Sequence, residues 1–201
     1  MKIDKDTYKT HKYYRQKYDK TQIILGGSLR KDNLHIKRFE TKDGGKAKEG
    51  STFSIDREGN VFQHFDPKYY SDFMDDKDID RKSISIILEN MGMLFYDFES
   101  GKYLNWIHDE CPDELKYERK WNGHTYWEQY SREQYNSTVN LCKFLIKEFD
   151  IELDCLGFNV FYDNTETYEG IVCRSNYDSE NTDLNPSFDF RDFLIDMEIE
   201  I

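Results

Sequence analysis

TQIILGGSLR, residues 21–30, opens as an apolar run and stops on two glycines and a serine. Ile23, Ile24 and Leu25 read as a buried strand, since a short apolar run bounded by turn residues belongs inside a sheet. A strand that ends this abruptly usually presents a side chain to a pocket; here it presents Gly26, Gly27 and Ser28.

Working outward, SISIIL at 83–88 is the most apolar strand and reads as buried on both faces. TFSID (52–56) and NVFQHF (60–65) flank Arg57-Glu58-Gly59, a hairpin with Gly59 at the position that needs positive φ. The polar segment 29–50 reads as a loop with a short helix near 32–40. Residues 132–149 carry the clearest helix. Ser131 and Gln134 form a capping box, and Tyr135, Val139, Cys142, Leu145, Ile146 and Phe149 fall on one face. A strand is expected at 156–161, another in GIVC (170–173), and a short helix from about 188. Strands interleaved with helices predict an α/β fold: a mixed central β-sheet flanked by helices. Residues 1–20 read as a polar, Tyr-rich lead-in with room for a short helix. Residues 21–201 read as a single domain with an aromatic-rich excursion at 91–130.

The 201 residues suit one core, and the 15 Tyr and 14 Phe supply core volume that the modest aliphatic content does not. A net charge of −12 argues against general nucleic-acid binding and against an anionic membrane surface. The first 20 residues hold no apolar stretch, so no signal peptide is expected, and no run reaches the length of a membrane span. Cys111, Cys142, Cys155 and Cys173 form no CxxC and read as free thiols of a reducing compartment. The acidic run DDKDID (75–80) reads as a solvated loop. Tyr103, Trp106, Trp121, Tyr126, Trp127 and Tyr130 read first as packing, and second as a platform for sugar rings or bases.

Four segments in order carry a resemblance: TQIILGGS, FSIDREGNVFQHFD, KSISIILEN and GIVCRSNYDSENTDLNPSFDF. Together they look like the zinc-dependent N-acetylmuramoyl-L-alanine amidases, a fold shared with peptidoglycan recognition proteins, and the phage-borne members above all. The resemblance spans roughly residues 20–195, and its hairpin and TDLNPSFDF segments are the more specific parts. It implies an amidase-like fold and a zinc held by two His and one Asp or Cys. The first ligand position falls on Gly26, with Gly27 where a second His is common. The other His position falls on Arg174, and the third ligand is kept as Asp183. The catalytic Glu position falls on Ile87, the basic residue before the third ligand on Asn181, and a Tyr or His position on Ser51 or Thr52.

One carboxylate does not make a catalytic zinc site, for which three protein ligands are the norm. With the metal gone, Asp183 needs another cation, and a bidentate ion pair with Arg174 is expected. A cleft near Arg174, Lys82 and Arg30 would suit an anion locally. Each of His11, His35, His64, His108 and His124 reads as a surface or hydrogen-bonded histidine. A substitute metal site built on His35 or His64 with Asp183, or on His108-Asp109-Glu110 near Cys111, is a weaker reading, and a thiol nucleophile at Cys173 weaker still.

The leading expectation is a catalytically inactive, phage-encoded amidase-fold protein without a cofactor. It would act in the host cytoplasm or the virion by binding a peptidoglycan fragment, a host protein or a small anionic ligand. Its former active-site cleft would comprise Gly26, Gly27, Ser28, Ser51, Ile87, Arg174, Asn181 and Asp183. The alternatives are an active amidase with an atypical zinc site, and a structural component of the virion or tail.

Overall fold

A computed structural model describes residues 2–157 and 160–199. In chain order the elements are β1 (Ile3–Asp4), β2 (Gln22–Gly27), α1 (Leu34–Gly45), β3 (Phe53–Ile55), β4 (Val61–Gln63) and α2 (Lys77–Lys82). Next come β5 (Ser83–Leu88), β6 (Met93–Asp97), β7 (Lys102–Leu104), β8 (Glu110–Cys111), β9 (Lys116–Trp121) and β10 (His124–Glu128). The chain closes with α3 (Arg132–Phe149), β11 (Gly170–Cys173), α4 (Arg174–Tyr177) and α5 (Phe190–Met197). The fold is mixed α/β, as the sequence predicts.

The main sheet runs β1-β4-β3-β5-β2-β11. Its β3–β4 pair is antiparallel and the other pairs are parallel. Period-two alternation divides its residues between two faces. Ile23, Leu25, Ile84, Ile86, Leu88, Ile171 and Cys173 form one core with the apolar side of α3 and with α5. Each aliphatic side chain fully buried there, such as Leu141 or Leu145, contributes roughly 1.5–3 kcal/mol. Gln22, Ser83, Ser85, Ile87 and Gly26 alternate onto the opposite face. On that side Gln22 is fully bonded: Nε2 donates to the Thr165 and Tyr168 carbonyls, and Oε1 accepts from Ser83 and Tyr177. The capping box at Ser131–Gln134 starts α3. Gly59 holds φ +79° in the β3–β4 hairpin.

Several expectations differ from the structure. The lead-in forms no helix among the described residues. Instead β1 pairs with β4, and Tyr13 and Tyr14 stack on Phe65 and Tyr70. The helix near 32–40 runs on to Gly45 through non-helical Lys42, Asp43 and Gly44. The acidic run is not a solvated loop. Asp76 caps α2 by accepting from the Asp78 and Ile79 amides, while Asp80 is buried and accepts from the Phe73 and Met74 amides. Burial pushes the Asp80 carboxyl up to about 7, against the pull of those two amides. The excursion is a second, antiparallel sheet ordered β8-β7-β6-β10-β9. The strand expected at 156–161 lies partly outside the described residues, at 158 and 159; the described remainder is not strand. All four cysteines are free. No helix among the described residues is long and apolar enough to cross a membrane.

Candidate functional site

Three neighbouring parallel strands, β11, β2 and β5, end together, so Arg174, Gly26–Gly27 and Ile87–Leu88 converge at one edge of the sheet. The carboxyl ends of parallel strands are where α/β sheets place ligands. Gly26 pairs with Ile87, which pairs with Ser54 on the other side, so these three form one row across the sheet.

Arg174 lies over the gap that Gly26 leaves. A Cβ on Gly26 would stand 2.7 Å from Arg174 Nε and 3.2 Å from Cζ. The guanidinium therefore occupies the volume that any side chain at position 26 would need. Its Nη2 donates to the Asp183 carboxylate and, at 2.6 Å, to the Gly27 carbonyl. Its Cζ sits 5.2 Å from the centre of the Phe73 ring. Asp183 is 5% exposed and Arg174 22%, so the pair is substantially desolvated. The Asp183 loop is held at both ends: its amide donates to Asn181 Oδ1 at 2.9 Å, and its carbonyl accepts from the Ser175 amide at 3.1 Å. Gly27 is also constrained, though less so, since a Cβ there would meet Asp183 Oδ1 at 3.0 Å and the Tyr130 hydroxyl at 3.2 Å. Burial, and then the Asp183 charge, raise the Tyr130 phenol well above its ordinary value, so it stays neutral.

Beside this pair opens a cleft of about 350 Å³, lined among others by Arg174, Ile87, Phe73, Arg30, His35 and Arg38. His35 is 2% exposed, and neither ring nitrogen has a hydrogen-bond partner. Burial, reinforced by the charges of His64 and Arg30, lowers its pKa to about 3, so the imidazole is neutral. Trp106 stands at the cleft, its Nε1 donating to the Leu29 carbonyl and the Arg30 guanidinium carbon 5.2 Å from its ring centre.

Of the residues expected at the site, Gly27, Ser28, Ile87 and Arg174 line this cleft, while Gly26 and Asp183 lie at its base under the Arg174 guanidinium. The expected Arg174–Asp183 pair forms, though through one guanidinium nitrogen and not two. Asn181 stands behind Asp183, its side-chain Oδ1 accepting from the Asp183 amide. Ser51 is buried in a separate small pocket beside His64. Lys82 does not reach the cleft. It precedes β5, at the opposite end of the strand, and donates to the Glu166 carbonyl. His64 makes no site with Asp183: Nδ1–H donates to the Tyr8 carbonyl at 2.9 Å, and Nε2 accepts from the Ser54 hydroxyl at 3.0 Å. Asp109 and Glu110 pair with Lys31 and Lys102. Cys173 is buried and its thiol is pushed up to about 12 by that burial, so it is no nucleophile.

Among the described residues no three His, Cys, Asp or Glu side chains gather to hold a metal. The residues that the resemblance puts at the zinc position do not fit the ion: Asp183 already bonds a cation, and glycine, arginine and isoleucine offer no second donor. Sequence reasoning missed Arg38, Phe73 and Glu89. The Glu89 carboxylate accepts from the Asp32 and Asn33 amides and so anchors the start of α1, which carries His35 and Arg38 to the cleft. Arg38 had no local signal, because it sits on a polar helix whose only buried residue is His35.

A family model described as N-acetylmuramoyl-L-alanine amidase matches residues 7–166. No curated protein sequence matches the chain. Among solved structures, the chain is similar to the endolysin N-acetylmuramoyl-L-alanine amidase LysCS of Clostridium intestinale, with TM-score 0.59, 11% identity, and 99% of this chain and 97% of that one covered. It is similar to AmpDh3 of Pseudomonas aeruginosa, solved with an anhydromuramic pentapeptide, with TM-score 0.55, 13% identity and coverage of 99% and 67%. It is also similar to the amidase AmiD of E. coli, solved with an anhydro-N-acetylmuramic acid tripeptide, with TM-score 0.55, 10% identity and coverage of 93% and 60%. At such identities these likenesses establish the fold.

Proposed function

We propose, since this chain belongs to the N-acetylmuramoyl-L-alanine amidase family, that it binds a peptidoglycan fragment in the cleft beside Arg174 without hydrolysing it. The observation that carries this reading is the Arg174–Asp183 ion pair seated over Gly26. Hydrolysing an amide at neutral pH needs a group that activates water and one that takes up the developing oxyanion charge. At this strand edge a guanidinium spends its charge on Asp183, and Ile87, 2% exposed, can neither give nor take a proton. His35 is neutral but buried to the ring nitrogens, and no carboxylate orients it. What the cleft retains is the capacity to bind. Two structural relatives were solved with anhydromuramic peptides, which supports a related fragment as the ligand. The resemblance to phage-borne members extends the proposal to a phage-encoded protein that needs no cofactor.

Incubation of the full chain with purified sacculi, with and without added zinc, tests this. Sedimentation with sacculi and no peptide release in either condition is expected. Peptide release that depends on zinc would restore the active-amidase reading, and failure to sediment would remove the peptidoglycan ligand.

A further inference from the structure

The chain carries a net charge of −12, yet its cleft gathers three guanidinium groups, Arg30, Arg38 and Arg174. Two carboxylates lie close by, and both are already committed: Asp183 pairs with Arg174, and Glu49 pairs with Lys42. Arg30 and Arg38 have no carboxylate partner among the described residues. Two uncompensated guanidiniums in one cleft set up a local field opposite in sign to that of the whole molecule.

His35 supplies the second observation. It lies one helical turn before Arg38 on α1, 2% exposed, with both ring nitrogens unpartnered. A buried polar group without a partner is costly, and filling it favours whatever ligand does so. His35 lines the cleft wall, but its ring nitrogens are closed off from solvent, so its one N–H donor and one acceptor meet a ligand only when that wall shifts. Trp106, 39% exposed, adds a planar surface beside Arg30.

We infer that this cleft is a phosphoryl site, in which Arg30 and Arg38 clamp a phosphate ester borne by a sugar or nucleoside whose ring rests on Trp106. A phosphate monoester carries about −1.5 to −2 charges with three acceptor oxygens, which matches two planar donors; a stem-peptide carboxylate carries one charge. The inference rests on the cleft being a binding site and not a hydrolytic one, and it goes beyond the peptidoglycan reading, since a phosphate ester would occupy this cleft in place of an unphosphorylated fragment.

The test titrates the full chain with N-acetylglucosamine 1-phosphate, AMP, inorganic phosphate, unphosphorylated N-acetylglucosamine and muramyl dipeptide, read by calorimetry and tryptophan fluorescence. Saturable binding of a phosphorylated probe is expected, at least about tenfold tighter than its unphosphorylated counterpart and weakened by salt. Preference between the sugar phosphate and AMP identifies the ring. Arg30→Gln and Arg38→Gln should each weaken binding roughly tenfold or more, Arg38→Lys less, and Trp106→Ala should weaken the ring-bearing probes but not inorganic phosphate. Circular dichroism checks that each variant is folded. The inference is overturned if no phosphorylated probe saturates below about 10 mM, if the phosphate adds no affinity, or if folded Arg30 and Arg38 variants bind as the parent does. Retention on sacculi without phosphate binding overturns this inference alone; phosphate binding without retention on sacculi upholds it and removes the peptidoglycan ligand.

Discussion

Replacing Arg174 with alanine leaves the Asp183 carboxylate, 5% exposed, without a cation. Removing one partner of a buried ion pair costs roughly 3–5 kcal/mol, and the 22% exposure of Arg174 moves the expectation to about 2–3 kcal/mol. In a domain of this size that lowers Tm by roughly 4–12 °C. Adding Asp183→Asn removes the stranded charge, so the double variant should recover at least about 1 kcal/mol. Gly26→Ala reaches the same pair from below. Its Cβ would stand 2.7 Å from Arg174 Nε, so the guanidinium must leave its place over the strand and loosen its hold on Asp183. In the parent, Gly26→Ala should therefore cost something, but less than Arg174→Ala, because the guanidinium ends a flexible side chain that can shift and keep part of its hold on Asp183. In the Arg174→Ala background the space is vacant, and the same change should be neutral or stabilising by about 0.5 kcal/mol, because alanine is better than glycine inside a strand. Urea unfolding at pH 7, followed by far-ultraviolet circular dichroism, measures all four corners of this cycle. An equal cost for Gly26→Ala in both backgrounds would refute the coupling of these residues.

Burial holds the His35 pKa near 3, below the ordinary 6.5, so the unfolded chain takes up a proton that the folded chain refuses. The stability tied to His35 is thus present above pH 6.5 and lost as pH falls toward 3, and His35→Phe should gain on the parent steadily below pH 6.5 in urea titrations. Asp80 works in the opposite sense: its carboxyl, raised to about 7, favours the folded state at low pH and loses that contribution as pH rises from about 4 to 7, so Asp80→Asn should flatten the parent's decline across that window. Gly59→Ala combines φ +79° with a Cβ 2.7 Å from the Glu133 carbonyl oxygen, where the hairpin packs on the first turn of α3, and should cost at least about 2 kcal/mol by chemical denaturation. Gly26→His with Arg174→His rebuilds two nitrogen donors beside Asp183, and this double variant should take up near-stoichiometric zinc by elemental analysis while Gly26→His alone does not.

The central sheet was legible because β5 alternates isoleucine toward α3 with serine toward the other face until Ile87 breaks the pattern. α3 was legible because Ser131 and Gln134 announce its start. β9, by contrast, reads KYERKW, with charges along a half-exposed strand, and such a sequence carries little strand signal. Asp80 was misread because its neighbours are acidic and exposed, and its burial comes from Phe73 and Met74 folding back over it. At the site, the resemblance put Arg174 and Asp183 at neighbouring ligand positions, and charge compensation then called for the pair that forms. Lys82 was misplaced because proximity in sequence to β5 says nothing about which end of the strand faces the cleft. Arg38 carries no local signal, and His35 pointed only to a metal site with Asp183 that does not form; the Glu89 anchor at the start of α1 is what brings both to the cleft.

Gly26, Arg174 and Asp183 form a set in which no member is favourable alone. A side chain at position 26 excludes the guanidinium, and without the guanidinium Asp183 is a desolvated, unpaired anion. The pair is close to neutral, so it fixes the floor of the cleft without lending it charge. The positive character of the cleft comes instead from Arg30 and Arg38, on the α1 side, which hold no carboxylate among the described residues. On the proposed reading, stability and binding fall to different arginines. Changes at Arg174 should shift unfolding first and affinity only as the floor distorts, whereas changes at Arg30 and Arg38 should shift affinity while leaving the unfolding midpoint nearly still. If Arg174 variants instead abolished binding at unchanged stability, its guanidinium would be contacting the ligand directly, and the division argued from the ion pair would fail.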